Sequence, residues 1–420
     1  MKILWLINIP LPEVSLLLNE KPLPFGGWLV GLSEALSFSE NTKLYVVFPH
    51  KGITGYRKLS GEQIDYYVFS PIKTDDAESI SNIELFQNII NDINPDIVHI
   101  HGTELAHSLT MTKACEFNDV DSVISIQGLV SKIAKHMYAN LTNKAIFGFT
   151  LRNYINHDSV YWMKKSFQKR GNNEIEALKG AFNIIGRTTW DRAITKQINP
   201  QAEYYFCNET LRGEFYKHQW NIDSCEKHAI FISQGQYSYK GVHYLLEAMP
   251  LILRRYPEAK VYIGGKDITN SSSLKDKILM TYYGMYIKKM IKNLNLERNV
   301  IFTGPLDEKK MCQRYLKSHV FVCSSSIENS PNSLGEAMIL GVPCVASAVG
   351  GIPDMLVDKE EGFLYQHDAP YMLAYYVCEI FQRDDLAIRF SKAARQHALK
   401  THDKDENIRK LIEIYNNILK

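Results

Sequence analysis

The chain has no C-x-x-C pair among its seven cysteines, which stand at 115, 207, 225, 312, 323, 344 and 378. The number is odd, so neither a disulfide framework nor a zinc ribbon is indicated, and a reducing, cytosolic compartment is expected. Cys323 and Cys344 stand in apolar runs and read as small core residues. No apolar run reaches the roughly 20 residues needed to span a bilayer, so any membrane association is expected to be peripheral. The opening stretch 1–10 is apolar but short and broken by Asn8, with no small-residue cleavage site after it. It reads as a buried strand rather than a secretion signal. Neither sign of charge dominates: 48 Lys+Arg against 46 Asp+Glu leaves a formal +2, which excludes a strongly basic nucleic-acid binder and a disordered acidic chain. With 24 Gly and 15 Pro there is no collagen-like or low-complexity bias. The G-x-x-x-x-G-K-[ST] pattern is missing, so nucleoside-triphosphate hydrolysis is not expected.

What the chain has is a hydrophobic fraction of 45% over 420 residues, enough for two or three domains. Strand-like apolar runs at 2–9, 44–48, 64–68, 97–100, 122–126 and 183–186 alternate with helical stretches at 28–38, 83–93, 105–117 and 175–179. Residues 206–227 break this rhythm and read as a linker. A second series follows, with strands at 228–233, 260–263, 300–303, 320–323 and 343–346. Helices between them are expected at 244–255, 283–293, 308–317 and 334–340. Strand, crossover and strand in this order imply parallel sheets covered on both faces. The expected architecture is α/β, with two doubly wound, Rossmann-like domains at 1–205 and 228–398 facing across a cleft. Two final helices are expected at about 370–398 and 404–419, and the last, within 399–420, is expected to pack back on the first domain.

Ligands of such sheets bind beyond the carboxyl ends of the strands, so the loops there carry the chemistry. After the strand at 320–323 comes Ser324-Ser325-Ser326-Ile327-Glu328-Asn329-Ser330-Pro331-Asn332-Ser333-Leu334-Gly335-Glu336. Ser330 reads as the helix N-cap and Pro331 as the first helical residue. The amides of Asn332 and Ser333 then lack intrahelical partners, and together with the dipole they suit a phosphate. Glu328 and Glu336 each suit a pair of adjacent hydroxyls, as on ribose or a hexose. After the strand at 228–233, Ser233-Gln234-Gly235-Gln236-Tyr237-Ser238-Tyr239-Lys240-Gly241 presents Lys240, a point charge fit to offset a leaving diphosphate.

Glu328 and Glu336, followed by Gly341-Val342-Pro343-Cys344-Val345-Ala346 and Gly350-Gly351-Ile352-Pro353-Asp354, resemble the signature of the large family of retaining nucleotide-sugar glycosyltransferases with a GT-B fold, the glycosyl transferases group 1. The resemblance covers nearly the whole chain and is strongest at 228–366. It implies that Glu336 holds the ribose, that Glu328 contacts the donor sugar and that the diphosphate rests on the Asn332 and Ser333 amides, with Leu334 next to them in the donor-binding set. It departs at Gln236, where the family has Arg on phosphate, and this leaves less positive charge at the leaving group. Gly265 and Leu306 are expected to line the nucleotide, largely through backbone. Phe25-Gly26-Gly27-Trp28 resembles the family's loop that faces the donor diphosphate and the acceptor, with Gly26 and Gly27 allowing close approach.

In the first domain, His101 and Glu104 follow one strand, Gln127 a second and Arg187 a third. His101, Glu104 and Gln127 are candidates for sugar or acceptor contact. Many family members have His where Gln127 stands, and Gln cannot carry a proton. Arg187 either replaces the charge missing at Gln236 or pairs with Asp191. Residues 131–170 hold Lys132, Lys135, Lys144, Arg152, Lys164, Lys165, Lys169 and Arg170 against Asp158 alone, interleaved with aromatics. Two readings stay open there: a basic face on an anionic membrane, or aromatics packed inward under a solvated face.

The implied reaction transfers a sugar, with retention and no required metal or cofactor, from a nucleoside diphosphate to a hydroxyl acceptor. Lys240 and Glu328 are its catalytic candidates. A glycan or lipid-linked intermediate of cell-envelope or capsular polysaccharide is the implied acceptor. The alternatives are a nucleotide-sugar epimerase of the same fold and a catalytically silent nucleotide-sugar-binding protein. Asp119-Val120-Asp121 matches the D-x-D letters of metal-dependent sugar transferases, but it precedes a strand and reads as a helix-to-strand turn.

Overall fold

The computed structural model describes residues 1–23, 26–39 and 41–420, which form two compact units. The first unit holds residues 1–132, 167–211 and 402–420, and the second holds 133–166 and 212–401. The division differs from the sequence expectation in two places. Residues 133–166 belong to the second unit, and so does the stretch from Arg212 onward, which reads as linker in the sequence. The reason for the latter is packing. Phe215 is fully buried and meets Tyr315 edge-on, and the Trp220 indole donates to the Ser318 carbonyl at 2.8 Å. These are core anchors of the second unit, spaced too irregularly to show a period.

The first unit is built on an eight-stranded sheet. Its strands are β1 (Lys2–Leu6), β2 (Lys43–Pro49), β3 (Tyr56–Ser60), β4 (Asp65–Phe69), β5 (Ile97–His101), β6 (Ser122–Ser125), β7 (Asn183–Gly186) and β8 (Glu203–Phe206). They lie in the order β3-β4-β2-β1-β5-β6-β7-β8, and every pair is parallel except β3 with β4. The strand period of two sends Leu4, Leu6, Val98 and Ile100 to one core and Ile3, Trp5, Ile97 and Val123 to the other. Helices cover both. Ile80–Ile93 buries Ile83, Phe86, Ile90 and Ile93 and ends where Asn94 turns left-handed. The last helix, Lys404–Ile418, brings Leu411, Ile414 and Tyr415 to the second core, where the Trp5 indole donates to the Tyr415 hydroxyl at 3.1 Å.

The second unit has a six-stranded, wholly parallel sheet. Its strands are β9 (Glu226–Ile232), β10 (Lys260–Ile263), β11 (Val300–Phe302), β12 (Ser318–Cys323), β13 (Cys344–Ser347) and β14 (Gly362–Tyr365), in the order β11-β10-β9-β12-β13-β14. β3, β8 and β14 are not anticipated in the sequence. β3 is a largely exposed edge strand with polar residues, and β8 and β14 are four-residue edges. The single helix expected at 370–398 is two, Pro370–Gln382 and Asp384–Thr401, separated at Arg383.

Candidate functional site

In the second unit the strand order reverses between β9 and β12, so the loops that leave these neighbours diverge and open a crevice at their carboxyl ends. The two loops are locked together. The Ser326 amide donates to the Tyr239 carbonyl at 2.7 Å, and the Ser324 hydroxyl donates to the Gly241 carbonyl at 2.9 Å. Gly241 is left-handed, with φ 71°, and a Cβ there would overlap the Ser324 carbonyl oxygen. On the other side, the Gly350-Gly351 turn after β13 presses on the backbone of Glu328. A Cβ on Gly350 would overlap the Glu328 carbonyl oxygen, which accepts from the Gly351 amide at 3.2 Å. The paired glycines of the sequence motif therefore serve to seat Glu328.

Within this frame the Lys240 ammonium lies 2.6 Å from Glu328 Oε1, which also accepts from the Ser325 hydroxyl at 2.7 Å. Both charged side chains are mostly buried. Burial works against the Lys240 charge, but the Glu328 carboxylate and the Tyr239 ring outweigh it and hold the ammonium above its ordinary value. The sequence places these two residues 88 positions apart, and the fold makes them one unit.

The helix Asn332–Leu340 begins one residue later than the sequence implies. Its N-cap is Pro331, not Ser330, and no side chain caps it. The Leu334 and Gly335 amides donate to the Pro331 carbonyl at 2.9 and 3.3 Å. Leu334 is buried and its amide is satisfied within the helix. Asn332 and Ser333 head the helix, and the Asn332 side-chain oxygen is buried without a partner. Glu336, on the first turns of the same helix, is buried and gripped by Arg212. Arg212 Nε and Nη2 donate to its two oxygens at 2.6 and 2.7 Å. Burial raises the Glu336 carboxyl above the usual glutamate range, and Arg212 pulls it partly back. Arg212 is absent from the sequence reading because it stands in the aperiodic stretch before β9, far from Glu336 in the chain.

Gln236 is exposed, with its side-chain amide beside Gly265, and it lines a pocket with Lys266, Asp267 and Asp276. Gly265 bridges to Gly304, which ties the loops after β10 and β11 together, and Leu306 follows half-buried. Lys266 is a second residue missed by the sequence reading. Its signal is its place, just past Gly264 and Gly265 after β10.

The first unit gathers its candidates differently. His101 ends β5 and is buried, with neither ring nitrogen partnered, against Trp5, Trp28 and a stacked His99 3.7 Å away. This corrects the expectation that it stands beyond the strand. Burial lowers its pKa to about 3. Glu104 folds back over Gly102 and accepts from the Asn8 side chain, whose oxygen meets His107 at 2.6 Å. Burial raises the Glu104 carboxyl. Gln127 donates to Glu209 Oε1 at 2.6 Å, and Arg187 pairs with Glu209 Oε2 at 2.6 Å. Arg187 is thus buried and paired with Glu209. It does not pair with Asp191, which accepts the Arg187 amide at 3.0 Å and caps the helix Thr189–Ile198. Glu209, which binds both candidates, is missed in the sequence because it too lies in the stretch read as linker. Gly27 opens the helix Gly27–Ser37 and Gly26 is its uncapped N-cap, while Phe25 lies outside the described residues. Asp119 is the left-handed cap closing the helix Ala106–Asn118 just before β6, so the Asp119–Asp121 letters sit on a helix-to-strand turn. Among the described residues no helix is long and apolar enough to cross a membrane, and all seven cysteines are free.

Residues 214–397 match the family described as glycosyl transferases group 1. The chain is 28% identical over 178 residues to a poly(ribitol-phosphate) alpha-N-acetylglucosaminyltransferase of Staphylococcus aureus, covering 42% of this chain and 33% of that protein. It is 25% identical over 182 residues to a D-inositol 3-phosphate glycosyltransferase of Corynebacterium urealyticum, covering 43% of this chain and 40% of that protein. Less than half of either relative is thus matched. Among solved structures, a sucrose-phosphate synthase from Thermosynechococcus elongatus aligns with a TM-score of 0.71 at 15% identity, covering 100% of this chain and 99% of that one. Anabaena HepE in complex with UDP and glucose aligns with a TM-score of 0.68 at 14% identity, covering 99% of this chain and 100% of that one. At these identities the likeness is one of fold. The two Rossmann-like units are those of the GT-B class.

Proposed function

We propose that the protein is a retaining glycosyltransferase that moves a sugar from a nucleoside diphosphate to a hydroxyl acceptor. The second unit holds the donor and the first unit the acceptor. The Asn332 and Ser333 amides and Lys240 take the diphosphate, Glu336 the ribose and Glu328 the sugar hydroxyls. The bond from the anomeric carbon to the diphosphate oxygen breaks, and the acceptor oxygen bonds to that carbon from the same face. The acceptor proton passes to the departing phosphate. No imidazole is needed, which agrees with Gln127 and with the neutral, enclosed His101. Lys240 and the helix-end amides supply fixed positive potential where negative charge develops. Gln236 contributes a hydrogen bond but no charge, and Lys266 beside it restores a cation to that rim. No metal takes part in this scheme.

What carries this reading is the Lys240–Glu328 pair, set at the switch point beside an uncapped helix start. One relative in sequence is named for transfer to poly(ribitol-phosphate), which supports a polymeric, envelope-type glycan or lipid-linked acceptor. HepE was solved with UDP and glucose, which puts UDP-sugars first among donors to try.

The test is a thermal-shift screen of UDP-, GDP- and ADP-sugars, followed by measurement of nucleoside diphosphate release with and without polyol acceptors in excess chelator. Stabilisation by one donor and acceptor-dependent release are expected, because binding stabilises by mass action. Donor conversion without an acceptor would instead indicate an epimerase. Binding without any turnover would indicate a silent binding protein.

A further inference from the structure

We propose that the second unit docks on an anionic lipid bilayer through the outward faces of three short helices, Asn143–Phe147, Leu151–Asn156 and Leu274–Ile278. This inference does not depend on the transfer reaction.

Two of these helices are inside-out. In Leu151–Asn156 the buried residue is Asn153, whose side-chain oxygen accepts the Tyr282 amide at 2.8 Å and whose nitrogen donates to Asp158 at 2.7 Å. The residues left facing water are Leu151, Tyr154 and Ile155, each 65–75% exposed. Leu274–Ile278 buries nothing, and Leu274, Ile278 and the following Leu279 all stand exposed. Phe147 and Phe149 extend the same surface at about half exposure. The pieces are contiguous. Gly148 packs against the Tyr282 ring, and Arg152 donates to the Leu279 carbonyl. A soluble face is ordinarily polar outside and apolar inside, and a cluster of large apolar side chains turned outward marks an interaction surface.

Charge selects the occupant. Exposed Lys144, Lys165, Lys275 and Lys277 fringe the patch. The acids nearby are already committed. Asp158 is paired with Arg152 at 2.9 Å and bonded to Asn153, and Asp276 is the capping-box residue of Leu274–Ile278. The surface therefore presents apolar side chains amid uncompensated ammonium groups. That is the pattern of an interfacial anchor on acidic headgroups, and a second copy of the same basic face would be repelled. Of the two sequence readings for 131–170, this one accounts for the aromatics that the fold leaves outside.

The experiment is co-sedimentation of the whole protein with pure phosphatidylcholine vesicles and with equimolar phosphatidylcholine–phosphatidylglycerol vesicles. Partition onto the anionic vesicles is expected to be at least about tenfold stronger and to weaken with salt. Lys144→Glu with Lys275→Glu and Lys277→Glu, all at exposed positions, should lower it at least about tenfold with no change in melting temperature. Leu151→Ser with Ile155→Ser should do the same by removing the apolar part. Equal binding to both vesicles, or binding to neither, overturns the proposal. So does a concentration-dependent dimer in sedimentation velocity that Ile155→Ser breaks, which would assign the face to self-association.

Discussion

Arg212 holds both oxygens of Glu336 in a side-by-side pair of hydrogen bonds of 2.6 and 2.7 Å, with both side chains mostly buried. Such a fork fixes the carboxylate's plane and leaves its outer lone pairs to face a ligand. Arg212→Lys keeps a charge but loses the fork, so donor affinity should drop about tenfold while the fold survives. Arg212→Met leaves a buried carboxylate unpaired and should cost about 3–5 kcal/mol of stability. The pH dependence has a definite sign. Glu336 is already raised by burial, with Arg212 lowering it and Glu308 raising it further. Weakening Arg212 moves it higher, so the acid-side loss of donor binding should begin at higher pH in Arg212→Lys. Calorimetric titration with UDP across pH 5–8 checks this, and superimposable profiles would remove Glu336 from the ribose site.

Lys240 should matter more to turnover than to binding. Its ammonium is opposed by Glu328 in the free protein and is most needed when the diphosphate departs. Lys240→Met should lower kcat about a hundred- to thousandfold, the usual cost of removing one preorganised charge donor, with a smaller change in KM. Lys240→Arg should recover part of the rate. A variant with normal kcat would sink the assignment of Lys240 as the group that offsets the leaving charge.

The sequence made the two parallel sheets legible because buried strands are near-continuous apolar runs, and Val320 to Cys323 or Ile97 to Ile100 offer no other reading. It made Glu328, Glu336 and Lys240 legible because each follows such a run at a strand's carboxyl end. It could not show Arg212 or Glu209. Both lie in an aperiodic stretch, and their partners are distant in the chain: Glu336 is 124 residues from Arg212. Polar side chains that act through long-range pairing leave no local pattern. His101 was misplaced for a related reason. It ends β5 as a strand residue, and only the ring stack with His99 and the indoles of Trp5 and Trp28 show that it is enclosed.

The glycines that seat the site give a separate prediction. Gly241→Ala puts a methyl group into the Ser324 carbonyl and forces a left-handed alanine. Gly350→Ala does the same against Glu328. Each should cost at least about 2 kcal/mol, and the loops must part to accommodate it. Donor-induced thermal stabilisation should shrink in both variants by more than the loss of basal stability explains, because Lys240 and Glu328 lose their register. If donor response per unit of stability is unchanged, the loop junction is structural only.

Acid should destabilise this protein well before its carboxylates are exhausted. Burial holds His101 and His107 near 3 and His243 and His319 near 4, and burial together with His101 also lowers His99. In the unfolded chain each titrates near about 6.5. Below that pH the unfolded state binds protons that the folded state refuses, so the contribution of these imidazoles is flat above pH 6.5 and stability falls as pH drops toward the folded values. Each imidazole contributes up to about 1.4 kcal/mol per pH unit. Glu104, Glu174, Glu247 and Glu336 oppose the trend at its acid end, since burial raises them and the folded state takes up their protons first. The clean window is therefore about pH 6.5 down to about 5. Urea midpoints should fall across it, and His107→Gln should flatten the slope by about one proton's worth. A stability independent of pH in this window would mean that the five imidazoles are solvated in the folded chain.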